Sequence, residues 1–169
     1  MVLKRERRVD ARPAAEGQAP RARVLIIEAR FYEKISDLLA AGAAAELDAA
    51  GASYERILVP GALEIPQALA HAVKAKVIPA TAERAQFDGC VALGCVIRGE
   101  TTHYEIVSNN ANFWLMELAM AHCIPVGNGI LTVENEAQAL ARARGPEGKG
   151  GDAVRACLHL IELARALKG

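Results

Sequence analysis

The apolar positions of this chain gather into four short runs, each followed by a longer segment of helical texture. ARVLIIEA (22–29) and GCVALGCVI (89–97) are nearly continuous and carry β-branched residues, the pattern of strands covered on both faces. SYERILV (53–59) and the glycine-interrupted IPVGNGILTV (124–133) complete a set of four. Between them, 36–50 is dense in Ala and Leu and stops at Gly51, 67–77 is limited by Pro79, and 104–123 has helical character throughout. Two last helices, 135–144 and 152–168, flank the flexible stretch GPEGKGG. PGALEIP (60–66) reads as a turn with two prolines and RGETTH (98–103) as a polar loop.

Strands alternating with helices imply parallel strands joined by right-handed crossovers, with helices on both faces. The expected architecture is α/β, a three-layer α-β-α sandwich around a four-stranded parallel sheet. Residues 1–22, rich in Arg, Ala, Pro and Gly without apolar period, are expected to be a flexible tail, and 23–169 one domain.

Charge and composition narrow the function classes. Twenty Lys+Arg balance twenty Asp+Glu, so no global field draws in nucleic acid or an anionic membrane, and anion binding must come from a local constellation. No apolar run approaches the roughly 20 residues of a membrane span, and the basic N-terminus lacks the apolar block of a secretory signal. Its arginines are interspersed with Glu6, Asp10 and Glu16, unlike a mitochondrial presequence, so a cytoplasmic protein is expected. Cys90, Cys95, Cys123 and Cys157 form no CxxC pair and lie in apolar segments, where reduced thiols serve as buried hydrophobes.

In an open parallel sheet the ligand crevice lies beyond the carboxyl ends of the strands. Three exits there carry unusual residues: Arg30-Phe31-Tyr32 after the first strand, Pro60-Gly61-Ala62-Leu63-Glu64 after the second, and Arg98-Gly99-Glu100-Thr101-Thr102-His103 after the third. Gly99, Glu100, Thr101 and Thr102 open a helix, whose free N–H groups and hydroxyls suit a phosphate and equally suit an ordinary N-cap. His103 stands at the same entrance, where an imidazole can transfer protons near neutral pH; His71, His122 and His159 lie within or at the ends of helices, as packed or solvated residues do. Phe31 either stacks a planar heterocycle or joins the core. Gly61 and Ala62 leave backbone open to a ring edge or form a plain Pro-Gly turn, and Glu64 caps or binds. Arg142 and Lys149 follow the fourth strand, where a cation meets a phosphate or stays solvated.

Two surfaces remain. Residues 112–120 are apolar nearly all round, and the last helix carries one stripe of Val154, Cys157, Leu158 and Ile161 and a separate flank of Leu160, Leu163 and Leu167. More than one neighbour is needed to bury them, which points to a homo-oligomer.

From Arg23 to Leu167 the sequence resembles the 6,7-dimethyl-8-ribityllumazine synthases. The resemblance is carried by Ala29-Arg30-Phe31, Val59 through Pro66, Gly94 through Tyr104, and Gly148-Lys149-Gly150. It implies a flavodoxin-like fold and the condensation of 5-amino-6-(D-ribitylamino)uracil with 3,4-dihydroxy-2-butanone 4-phosphate, releasing phosphate and water, in riboflavin biosynthesis. Neither metal nor organic cofactor is implied. By similarity Phe31 stacks on the pyrimidine, Gly61, Ala62 and Glu64 contact the ring and ribityl chain, and Val96 and Ile97 border the ring. Gly99, Glu100, Thr101 and Thr102 hold the phosphate with Arg142 and, as a further candidate, Lys149; His103 moves protons.

The resemblance also implies a pentamer with active sites between subunits, which some members stack into a 60-subunit icosahedral shell, and riboflavin synthase as a partner. An N-terminal segment near Arg23 would lend a strand to a neighbour's sheet. Two departures stand out: Asn128 replaces an aromatic residue that reaches the neighbouring site in many relatives, and the loop between Arg142 and Lys149, with Pro146, is one residue shorter. A non-catalytic flavin- or lumazine-binding homologue, or a shell-forming one, is the alternative to an enzyme.

Overall fold

The computed structural model describes residues 20–145 and 147–168, and the backbone of 8–12. The described elements are, in order, β1 (Arg8–Arg12), β2 (Arg23–Ala29), α1 (Glu33–Ala49), β3 (Ser53–Val59), α2 (Glu64–Lys74), β4 (Gly89–Ile97), α3 (His103–His122), β5 (Val126–Val133), α4 (Glu136–Ala143) and α5 (Lys149–Leu167). The four apolar runs are the four parallel strands, in spatial order β3-β2-β4-β5, and helices cover both faces as expected. Within the segment expected to be a tail, Arg8–Arg12 pairs antiparallel with β3 and extends the sheet at that edge. Backbone pairing needs no apolar side chains, which is why composition did not show this strand. None of the described helices is long and apolar enough to cross a membrane.

Side-chain alternation along β2 sorts the core into two layers. Val24 and Ile26 point into one with Leu39 and Leu47 of α1, Ala139 of α4 and Val154 and Ile161 of α5. Leu25 and Ile27 point into the other with Ile65 and Leu69 of α2 and Leu115 of α3. Leu25, Ile26 and Ile27 are all at most 1% exposed, so each contributes about 1.5–3 kcal/mol of transfer free energy. Successive large residues can all be buried only because both faces are covered.

Several boundaries differ from the sequence reading. The helix α2 starts at Glu64, inside the expected turn, because Pro66 falls in its first turn, where a missing N–H costs no hydrogen bond. The expected interruption of the fourth strand is absent: β5 runs in register with β4 from Val126 to Val133. Its glycines reflect helix packing instead, since a Cβ on Gly127 would lie 1.8 Å from the Ala153 carbonyl oxygen. Likewise α5 begins at Lys149 and includes Gly150 and Gly151, expected in a flexible loop. A Cβ on Gly150 would lie 2.1 Å from the Leu39 carbonyl oxygen, so α5 and α1 touch backbone to backbone there. Cys90, Cys95 and Cys157 are buried free thiols, but Cys123 is exposed, because α3 ends on it in a left-handed conformation (φ 51°) facing solvent.

Candidate active site

The parallel register brings the exits of β2, β3 and β4 to one edge, where they enclose a cleft of about 410 Å³. Phe31, Gly61, Ala62, Glu64, Val96, Ile97, Gly99, Thr101 and His103, all singled out from sequence, line it together. Pro60, Leu63, Tyr32, Cys95, Tyr104 and Val107 complete the wall. Tyr104 and Val107 carry a signal that could have found them, for Val107 lies three residues beyond Tyr104 and four beyond His103, spacings that put neighbours on one side of a helix.

The β2 exit is anchored by buried charge. Glu28, fully buried, accepts from Arg30 Nη1 at 2.8 Å and Arg56 Nη2 at 2.5 Å, and Arg30 Nη2 donates to Asp37 Oδ1 at 2.8 Å. This ties the turn to β3 and α1. Phe31 then projects, 71% exposed, with its ring 5.0 Å from that of Tyr32 at 68°. Tyr32 is half-buried, and that burial, with the nearby Cys95 thiol, pushes its phenol above the ordinary tyrosine range against an opposing hydrogen bond with the Ile97 backbone. A planar ligand entering the cleft therefore meets a free aromatic face on a fixed turn.

At the β3 exit the chain rolls directly into α2, with Glu64 N donating to Gly61 O and Ile65 N to Ala62 O, both at 3.2 Å. A Cβ on Gly61 would stand 3.1 Å from Glu64 Oε2, so the missing side chain gives the carboxylate its place over the turn. At the β4 exit, Cys95 is buried with its thiol pushed up to about 11 by desolvation, an apolar wall group rather than a nucleophile. Beyond it the chain turns through Gly99 to Thr102, the N-cap of α3, whose side chain makes no capping hydrogen bond. Arg98 spans this turn: its Nε donates to Glu134 Oε2 at 2.8 Å, it pairs with Glu105, and its guanidinium lies 4.2 Å from the Tyr104 ring centroid. The result is a helix N-terminus with no bond from its N-cap side chain, its His103 N–H donating to Thr101 Oγ1 at 3.4 Å, beside an exposed imidazole, both opening on an apolar cleft.

Other candidates lie outside this wall within one chain. Glu100 and Thr102 belong to the same turn without lining the cleft. Asn128, on β5, donates through Nδ2 to Asn112 Oδ1 at 2.6 Å and accepts from Ile130 N at 3.0 Å. Arg142 is on α4, which packs against the opposite face of the sheet from α2 and α3, and its Nη1 donates to Gln138 O at 3.1 Å. Lys149 opens α5 on that same opposite face.

The surfaces expected to need neighbours are bare in the single chain. Phe113 is 58%, Trp114 53% and Met120 80% exposed on α3, as is the Leu160, Leu163 and Leu167 flank of α5, while its Val154 stripe is buried.

A family model described as 6,7-dimethyl-8-ribityllumazine synthase matches residues 21–165. Proteins of that name are similar over most of this chain. The one from Azorhizobium caulinodans is 57% identical over 145 residues, 85% of this chain and 87% of its own. That from Nitrobacter hamburgensis is 54% identical over 149 residues (86% and 88%), and that from Agrobacterium fabrum 52% over 147 residues (86% and 97%).

Proposed function

The chain belongs to the 6,7-dimethyl-8-ribityllumazine synthase family, and from that membership we propose that it condenses 5-amino-6-(D-ribitylamino)uracil with 3,4-dihydroxy-2-butanone 4-phosphate to give 6,7-dimethyl-8-ribityllumazine, phosphate and water. The observation that carries the reading is the single cleft in which an exposed ring, an open peptide turn, a helix N-terminus with no bond from its N-cap side chain and an imidazole meet. Each suits one part of the substrate pair.

The pyrimidine stacks on Phe31, its edge faces the Gly61-Ala62 backbone and its ribityl chain reaches Glu64, while Val96 and Ile97 border the ring. The phosphate of the second substrate sits on the Gly99 to Thr102 turn, where first-turn amides, the positive end of the α3 dipole and threonine hydroxyls favour an anion. The 5-amino group attacks the ketone and water leaves to form an imine. Loss of a proton and of phosphate, tautomerisation, and attack by the ribitylamino nitrogen with loss of a second water close the ring. His103 accepts and returns protons in these steps. Holding both reactants in register supplies most of the acceleration, and a positioned acid–base adds about 10² to 10⁴.

The active unit in this reading is a pentamer. It is supported by the bare apolar faces of α3 and α5, and by Arg142, Lys149 and Asn128 lying outside the single-chain cleft, where an adjacent copy would bring them to it. Purified protein mixed with both substrates should produce lumazine fluorescence and phosphate in equal amounts well above the spontaneous rate. Product at only the spontaneous rate would reject the reading.

A further inference from the structure

The first turn of α3 carries the sequence Thr102-His103-Tyr104-Glu105, with a threonine at the N-cap and a glutamate three residues on. That spacing ordinarily closes a reciprocal cap, in which the hydroxyl accepts from the glutamate N–H and the carboxylate accepts from the N-cap N–H. Here neither bond forms. Thr102 makes no side-chain cap, and Glu105 N donates to the Thr102 carbonyl oxygen at 3.1 Å. The carboxylate is taken by Arg98 instead: Glu105 Oε1 accepts from Arg98 Nη1, and Oε2 is buried.

We propose that Arg98 is a positioning residue: by holding Glu105 off the N-cap amide of Thr102 it keeps that N–H open to the substrate's phosphate. The inference rests on the phosphate-binding reading above. Arg98 is itself held from three sides, through its N–H to Val133 O at 2.9 Å, Nε to Glu134 Oε2 at 2.8 Å and the Tyr104 ring beneath its guanidinium. Two carboxylates already neutralise it, so it serves the anion through Glu105 rather than as a counter-charge. The other oxygen, Glu105 Oε2, is buried with no hydrogen-bond partner among the described residues, so beyond the residue's own backbone N–H, Arg98 is the group that grips the carboxylate. Freed, it would cap the helix, occupying an amide and setting a negative charge beside the phosphate.

A double-mutant cycle over Arg98→Met and Glu105→Gln separates this from a simple charge effect. The readouts are the KM of each substrate and the dissociation constant of inorganic phosphate. Arg98→Met should raise the phosphate dissociation constant and the phosphorylated substrate's KM roughly fivefold, the scale of one competing side-chain cap, and leave the pyrimidine KM unchanged. Glu105→Gln alone should stay within about twofold of wild type, and the double variant should recover most of the loss, a non-additive result. Arg98→Lys keeps the charge but cannot grip both carboxylates, so it should show a smaller rise also relieved by Glu105→Gln, a check that survives misfolding of the methionine variant. If Glu105→Gln changes phosphate binding by the same factor whether or not Arg98 is present, Arg98 acts by charge alone and the proposal falls. Wild-type protein that neither binds phosphate nor forms lumazine would instead overturn the functional reading.

Discussion

Replacing Phe31 with alanine isolates binding from folding, because the ring is 71% exposed and its main neighbour is the edge of Tyr32 at 5.0 Å. Losing one such aromatic contact costs folding about 0.5–1.5 kcal/mol. Stacking of a nucleobase-like ring on an aromatic side chain is worth about 1–3 kcal/mol, which converts to roughly 5- to 150-fold in affinity. Phe31→Ala should therefore raise the KM for the pyrimidine substrate by a factor in that range. The KM for the phosphorylated substrate and the melting temperature should barely change. Steady-state kinetics with each substrate varied in turn, beside thermal unfolding, measure all three. An unaltered pyrimidine KM in a folded variant would remove Phe31 from the binding surface. A large fall in melting temperature would show that the ring is packed in the assembled protein and that the reasoning from exposure fails.

His103→Ala should keep its oligomeric state by sedimentation and lose between about 10²- and 10⁴-fold in turnover at saturating substrates; unchanged turnover would take proton transfer away from His103. Gly150→Ala forces a methyl group against the Leu39 backbone, so denaturant unfolding should show a loss of about 1–3 kcal/mol, and an unshifted midpoint would refute the backbone-to-backbone contact of α5 and α1. Burial of Asp88 alone would raise its carboxyl, but hydrogen bonds from the Arg23 side chain and backbone outweigh it, with Arg165 adding to them, and hold the group below the usual aspartate range. A depressed folded value gives stability that is present above the unfolded value and lost as pH falls through the folded one. The stability advantage of wild type over Asp88→Asn should accordingly be full at neutral pH and vanish in acid; a pH-independent difference would contradict the ion pair.

The strands were legible because burial on both faces writes itself as unbroken apolar runs, and the rim followed from topology, since parallel strands must all exit at one edge. Helix starts were less so. Pro66 resembles a turn residue until its place in a first turn is known, and Gly127 and Gly150 resemble breaks until the helix resting on them is seen. The Arg98 clamp joins residues 36 apart through charges that any exposed loop carries, so nothing local announces it. Asn128 was chosen by resemblance and Arg142 first by its place after the fourth strand, and the helices that follow β5 fold over the far face, which no periodicity reveals.

The cleft lies at the last rungs of β4 and on the turns beyond them, moored by charged residues, whereas most of the apolar layers that hold the chain together sit beneath it. Chemistry and scaffold thus draw on largely separate positions, with Ala62, Cys95 and Val96 belonging to both. Selection can retune the turns toward a different ring or acid without renegotiating the interior, and damage to the interior will show as lost yield of protein rather than as altered preference among substrates.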